Sequence, residues 1–251
     1  MEKNTLGKNR ENILIPSGVV INRKNLLIFD LDGTIINVFG CGRKALDTTM
    51  RIMYGIKGAG KKLDFSSSTD YGVFLRLIEQ FNLNEIFFNR IEEFYSIYSK
   101  ELKEAIEKND GSRLLPGLTE LLEYLFREPS FYLALATGNM EVGARTKLGH
   151  FGLEEYFPVG GFGDHAKSKK DVISTTFQKA SEFYGENFKN DEVFVIGDTT
   201  MDINAAKNFE FHSIAVATGF EEKEKLIQAN PDWLFDNISS TSEFLKVISN
   251  L

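Results

Sequence analysis

Four short, largely apolar runs frame this chain: LLIF (26 to 29), FYLALA (131 to 136), VFVI (193 to 196) and SIAVA (213 to 217). A strand with one wet face alternates apolar and polar residues, so an unbroken run belongs to a strand covered on both faces, as in a parallel sheet flanked by helices. The segments between them carry helical spacing. MEVGARTKLGHFGL follows FYLALA; Ile173, Phe177, Ala180 and Tyr184 recur on one helix face before VFVI, and MDINAAKNF comes after it. Strand and helix in alternation predict an α/β fold built on a doubly wound parallel sheet.

Residues 37 to 113 follow another rule, with helical periods and no convincing strand. Phe74, Leu77, Ile78 and Phe81 form one stripe, and Phe94, Ile97, Tyr98, Leu102, Ala105 and Ile106 form another. A connection that long, with apolar faces of its own, predicts a second, smaller all-helical domain rather than a loop. KNDGSRLLPG (108 to 117) returns the chain to the sheet. The expected organisation is a loosely docked leader over 1–24, a sheet domain over 25–36 and 114–251, and a helical domain over 37–113.

Composition narrows the partners. With 42% hydrophobic residues in 251, the chain can bury a full core. Its net charge of -7 and pI near 5.2 repel nucleic acid and anionic membranes at long range. Neither nucleic acid nor membrane is therefore expected as a partner, and any anionic ligand must be drawn in by local cations. The one cysteine, Cys41, excludes an internal disulfide and a thiolate metal cage and fits a reducing compartment. ILIPSGVVI (13 to 21) is interrupted by Pro16, Ser17 and Gly18, and nothing approaches the roughly 20 apolar residues of a membrane span. A cytoplasmic protein is expected.

Ligands of open parallel sheets bind beyond the carboxyl ends of the strands. There, LLIF is followed by Asp30 and Asp32, FYLALA by Thr137, Gly138 and Asn139, and VFVIG by Asp198, with Asp202 one helical turn on. Each motif alone could be a turn or a helix cap; their matching placement argues for one crevice. Carboxylates gathered there repel one another unless a cation joins them, and hard oxygen donors without His or Cys suit Mg2+, which shares its shell with phosphate. An aspartate beside magnesium can attack phosphorus and form an aspartyl-phosphate, which accounts for Asp30. Asp32 then serves as acid for the leaving alkoxide and base for the water that follows. Gly33 lets the backbone approach, so that N–H groups meet phosphate oxygens.

DLDGT (30 to 34), ATGN (136 to 139) and GDTTMD (197 to 202), with a helical insertion after the first, resemble the haloacid dehalogenase superfamily and its phosphoglycolate-phosphatase-like branch, over roughly residues 25 to 245. The resemblance implies a Rossmann-like core with a helical cap. By it, Asp30 is the nucleophile and Asp32 the acid/base. Asp30, the Asp32 carbonyl and Asp198 hold magnesium with Asp202 in support, and Thr137 and Asn139 bind the transferring phosphate. Dehalogenases and phosphonate hydrolases of the superfamily typically lack the second acid of DLD, so phosphate-ester hydrolysis of a small phosphorylated metabolite is expected. A beta-phosphoglucomutase-like mutase is the alternative, although such mutases generally carry a G-x-S-R segment in the cap where this chain has SSSTD (66 to 70). A non-catalytic binding protein on the same fold is a more distant one, because every reactive position is filled.

The resemblance also requires a cation against the phosphate, and GDHAKSKKDV offers Lys167, Lys169 and Lys170. Ser168 with Asp171 three residues on reads as a helix start. Lys169 and Lys170 then occupy a first turn whose dipole disfavours cations, a broken preference that points to function. Family spacing ranks Lys169 first, Lys170 next and Lys167 third. SSSTD reads equally as a helix cap or, by the resemblance, as the related Thr-Asp that phosphoglycolate-phosphatase-like proteins often carry near the substrate. GIKGAGKK (55 to 62) has a P-loop outline, but Lys62 stands where the magnesium-binding Ser or Thr belongs.

Overall fold

The computed structural model describes residues 23–62 and 69–249; most of the expected leader and Ser66 to Ser68 of SSSTD lie outside them. In chain order, β1 is Asn25–Phe29, β2 Ile36–Asn37, α1 Cys41–Tyr54, α2 Asp70–Phe81, α3 Asn84–Phe88, α4 Ile91–Glu107 and β3 Arg113–Leu114. Then follow α5 Leu118–Arg127, β4 Phe131–Ala136, α6 Glu141–His150, β5 Gly160–Gly161, α7 Lys169–Tyr184, β6 Val193–Gly197, α8 Thr200–Asn208, β7 His212–Val216, α9 Lys223–Gln228, β8 Trp233–Phe235 and α10 Thr241–Ser249.

Six strands form one parallel sheet in the order β5-β4-β1-β6-β7-β8. The apolar runs are the central strands, and their residues divide by parity between the two faces. Leu27, Phe29, Leu133, Leu135, Phe194 and Ile196 join one core with Leu121, Leu122 and Leu125 of α5 and Phe244 of α10. Leu26, Ile28, Ala134, Ala136, Val193 and Val195 join the other with Val172 and Ile173 of α7 and Ala205 and Ala206 of α8. Burial on both sides is why these runs contain no polar alternation.

The chain leaves the sheet through β2 and returns through β3, which pair antiparallel. Between them, the described residues carry four α-helices and no strand. Phe74, Phe87, Phe94 and Tyr98 stack within this segment, with ring centroids 5.0 to 6.0 Å apart, and they extend the apolar core on the α5 side. Cys41 is buried there, its Sγ 3.4 Å from the Ala105 carbonyl oxygen. No helix among the described residues is long and apolar enough to cross a membrane.

β1 lies between β4 and β6, so the chain winds outward from it in both directions. That reversal is the topological switch point at which open α/β sheets bind ligands.

Candidate active site

Phe29 is level with Leu135 of β4 and Ile196 of β6, so the residues that end these three strands open on one crevice. Asp30, Asp198 and Asp202 each bring a carboxylate oxygen within 4.8 Å of the other two. Asp202 reaches the group from the third position of α8. Thr199 caps that helix, and its backbone N–H and hydroxyl donate to Asp202 Oδ2 at 3.1 and 2.5 Å, a reciprocal capping box. The buried Asp202 Oδ1 faces Lys169 Nζ at 2.7 Å but receives no aligned hydrogen bond. Thr34 Oγ1 donates to Asp198 Oδ1 at 3.0 Å.

Lys169 opens α7, whose cap is Ser168, accepting from the Asp171 N–H at 3.2 Å. Its Nζ donates to Asp30 Oδ1 at 2.6 Å and to the Ala136 carbonyl at 2.9 Å. Lys167 and Lys170 are exposed, and the Lys170 ammonium lies 5.6 Å over the Phe209 ring. Burial raises the Asp30 carboxyl to about 6 against the pull of Lys169. Burial also lifts Asp198 well above the usual range, with Asp30 and Asp202 adding repulsion. Burial opposes the Lys169 ammonium too, but Asp202 and Asp30 outweigh it and hold it above its ordinary value. One ammonium thus pairs with two of the three inward carboxylates, Asp30 and Asp202. Hard oxygen donors in charge excess, one of them an oxygen without an aligned donor, fit a divalent cation held by Asp30, Asp198 and Asp202.

The Asp32 carboxylate engages a different set. Its Oδ2 accepts from Lys147 Nζ at 2.5 Å and from Asn139 Nδ2 at 2.7 Å. Asn139 Nδ2 also donates to Thr137 Oγ1 at 2.7 Å, while Asn139 Oδ1 accepts from Lys147 at 2.8 Å. Thr137 and Asn139, expected to bind phosphate, are therefore tied to each other and to Asp32. Lys147 is the residue that sequence reasoning missed. It sits on α6 between the buried Ala144 and Leu148, and helical side chains lean toward the N-terminus, which carries its ammonium back to the strand end. Its signal was a lysine on the apolar stripe of MEVGARTKLGHFGL.

The N–H of Gly33 itself donates to the Ile36 carbonyl at 2.8 Å, within the turn. The glycine is required for φ +84° and because a Cβ there would stand 2.3 Å from Asp198 Oδ2. Gly138 turns its carbonyl to the Asp70 N–H at 2.7 Å. Of SSSTD, Thr69 caps α2 and its hydroxyl donates to the Ala166 carbonyl at 2.6 Å, while Asp70 Oδ2 accepts the Met140 N–H at 2.8 Å. Burial raises Asp70 to about 6 although that N–H opposes it. The segment is thus a helix cap and also stands against the 137–140 loop. Asp30, Asp32, Lys147 and Lys169 line one cavity of about 830 Å³, together with Leu46, Asp70, Val73 and Phe74 of the helical segment.

The model of the haloacid dehalogenase-like hydrolases matches residues 27–216. The chain belongs to that family. Among its haloacid dehalogenase-like relatives, a phosphoglycolate phosphatase of Synechococcus elongatus is 29% identical over 139 residues, covering 55% of this chain and 61% of that relative. Another phosphoglycolate phosphatase, from Agrobacterium fabrum, is 28% identical over 235 residues, covering 89% of this chain and 94% of that relative. CbbY from Rhodobacter sphaeroides, solved in complex with phosphate, superposes with a TM-score of 0.64 at 18% identity, over 86% of this chain and 96% of that one. This likeness shows the shared fold.

Proposed function

We propose that this family member is a magnesium-dependent phosphatase, acting in the cytoplasm on a small phosphorylated metabolite of the phosphoglycolate or sugar-phosphate class through an aspartyl-phosphate on Asp30. The observation that carries this reading is the contact of Lys169 Nζ with Asp30 Oδ1 at 2.6 Å, at the end of the central strand. Lys169 fixes one oxygen of Asp30 and leaves Oδ2 to attack phosphorus. As the phosphorus–oxygen bond of the ester breaks, the leaving oxygen takes a proton from Asp32, and the departing alcohol is neutral. Water then attacks the acyl phosphate and returns a proton to Asp32. Lys169 neutralises charge on the transferring group throughout. A magnesium ion held by Asp30, Asp198 and Asp202 supplies charge neutralisation that one ammonium does not. Thr137 and Asn139 shape the phosphate side of the pocket, and the helices of residues 37–113 form a cap that excludes water from the acyl phosphate. Near-complete alignment with the Agrobacterium phosphoglycolate phosphatase supports the substrate class.

The test is release of inorganic phosphate across a panel of phosphomonoesters, with kcat/KM compared between phosphoglycolate and sugar phosphates. Phosphate release is the expected result. An isomerised sugar phosphate without release would replace this reading by a mutase, and no turnover of any ester would overturn it.

Among the three lysines of GDHAKSKKDV, Lys169→Met is expected to lower kcat/KM by about 10²- to 10³-fold, the range for losing one preorganised electrostatic partner. Lys170→Met and Lys167→Met should stay close to wild type, since both side chains are exposed. A crippled Lys170→Met enzyme beside a normal Lys169→Met enzyme would refute the assignment.

A further inference from the structure

Lys147 takes no part in the chemistry described above, yet its placement is specific. Its side chain is 5% exposed whereas that of Asp32 is 35% exposed, so the ammonium reaches Asp32 from within the protein and leaves the carboxylate facing the cavity. A buried ammonium needs partners with good geometry, and Lys147 has two, Asp32 Oδ2 and Asn139 Oδ1. Asn139 is oriented by the same pairing, with its carbonyl toward the ammonium and its amide N–H toward the carboxylate. Among the described residues, both side-chain donors on Asp32 converge on a single oxygen, Oδ2. A proton on that oxygen would have to point at an N–H donor, so Oδ1 is the oxygen free to carry one.

Resting on the phosphatase reading, we propose that Lys147 is a positioning residue for proton transfer: with Asn139 it occupies Oδ2 of Asp32 and reserves Oδ1 for the proton exchanged with substrate. Asp30 Oδ2 forms its bond to phosphorus as the bond to the ester oxygen breaks. The electron pair of that bond stays on the ester oxygen, which takes the proton from Asp32 Oδ1, and the alcohol departs. In the second half-reaction the attacking water gives a proton back to the same oxygen, so the cycle closes with Asp32 protonated again. Lys147 touches neither phosphorus nor the leaving group. It fixes the carboxyl plane, and through it the direction in which the proton is offered.

Leaving groups distinguish this role from a merely structural one. An alkyl phosphate such as phosphoglycolate needs the proton, whereas 4-nitrophenyl phosphate releases a stabilised phenolate that hardly does. kcat/KM reports the steps up to departure of the leaving group, so it isolates the half-reaction in question. Lys147→Met should lower kcat/KM for the alkyl phosphate by about 10- to 100-fold and that for 4-nitrophenyl phosphate by less than about 3-fold, within the range of general-acid effects. Lys147→Gln, which keeps an N–H donor but not the charge, should fall between wild type and Lys147→Met and carries the same comparison if the methionine variant does not fold. Equal losses on both esters, or no loss on either, would overturn the proposal. A wild type that hydrolyses neither ester would instead overturn the phosphatase reading on which it rests.

Discussion

Asp30→Ala is expected to abolish phosphoenzyme formation and to lower phosphate release by on the order of 10⁴-fold or more, since it removes the carboxylate proposed to attack phosphorus. Asp32 is held through Oδ2 by Lys147 and Asn139, and Asp198 and Asp202 belong with Asp30 to the acidic group that could hold a cation. The protein should remain folded. Asp30 is a buried carboxylate among others, held at about 6 by that burial, and its removal relieves repulsion, while Lys169 keeps Asp202 at 2.7 Å. A thermal midpoint near or above that of wild type, with no turnover, is the expected pair of observations. Appreciable turnover by a folded Asp30→Ala protein would refute the nucleophile assignment.

Stripping divalent cations should be as severe. Excess chelator is expected to stop hydrolysis and added magnesium to restore it, because three carboxylates come together where one ammonium pairs with only two of them, Asp30 and Asp202, and the hydroxyl donors on Asp198 and Asp202 carry no charge. A second readout needs no substrate. A cation that binds only the folded state stabilises it by about 2.7 kcal/mol at a hundred times its Kd, so magnesium should raise the melting temperature of the wild type. Asp198→Asn should lose most of that shift, since a neutral amide is a poor partner for a hard cation. Full activity in a metal-stripped sample, or an equal melting shift in Asp198→Asn, would contradict the cation site.

What could be read from the sequence follows from how strongly each residue's surroundings constrain it. β1, β4, β6 and β7 were legible because both faces of the sheet are covered, which keeps their runs almost entirely apolar, Ser213 being the polar exception. β5 and β8 were not, because two glycines at Gly160–Gly161 and three residues at Trp233–Phe235 are too short to show a period. Lys169 and Lys170 stood out together because cations in a first helical turn oppose the dipole, and a local rule broken without local gain asks for a distant partner; the spacing implied by the resemblance then chose Lys169. Lys147 broke no such rule. A lysine in the last turn of a ten-residue helix favours the dipole, and only its position between two buried neighbours marked it. Gly33 was singled out as a close approach to phosphate; the close approach that the structure shows is to Asp198, and its N–H turns to Ile36, which no spacing reveals. Thr69 and Asp70 carry two duties in adjacent residues, capping α2 and bonding the 137–140 loop. The second duty depends on a tertiary contact between residues about 70 apart in the chain and leaves no local trace.

The central claim is a covalent phosphate on one named carboxylate, and the most direct measurement is acid quenching of the wild-type enzyme during turnover, followed by mass spectrometry of the peptide that spans DLDGT. One added phosphoryl group localised to Asp30, absent without substrate and absent from Asp30→Ala, is the expected result. A phosphoryl group on any other residue, or rapid turnover in which the Asp30 peptide never carries one, would contradict it.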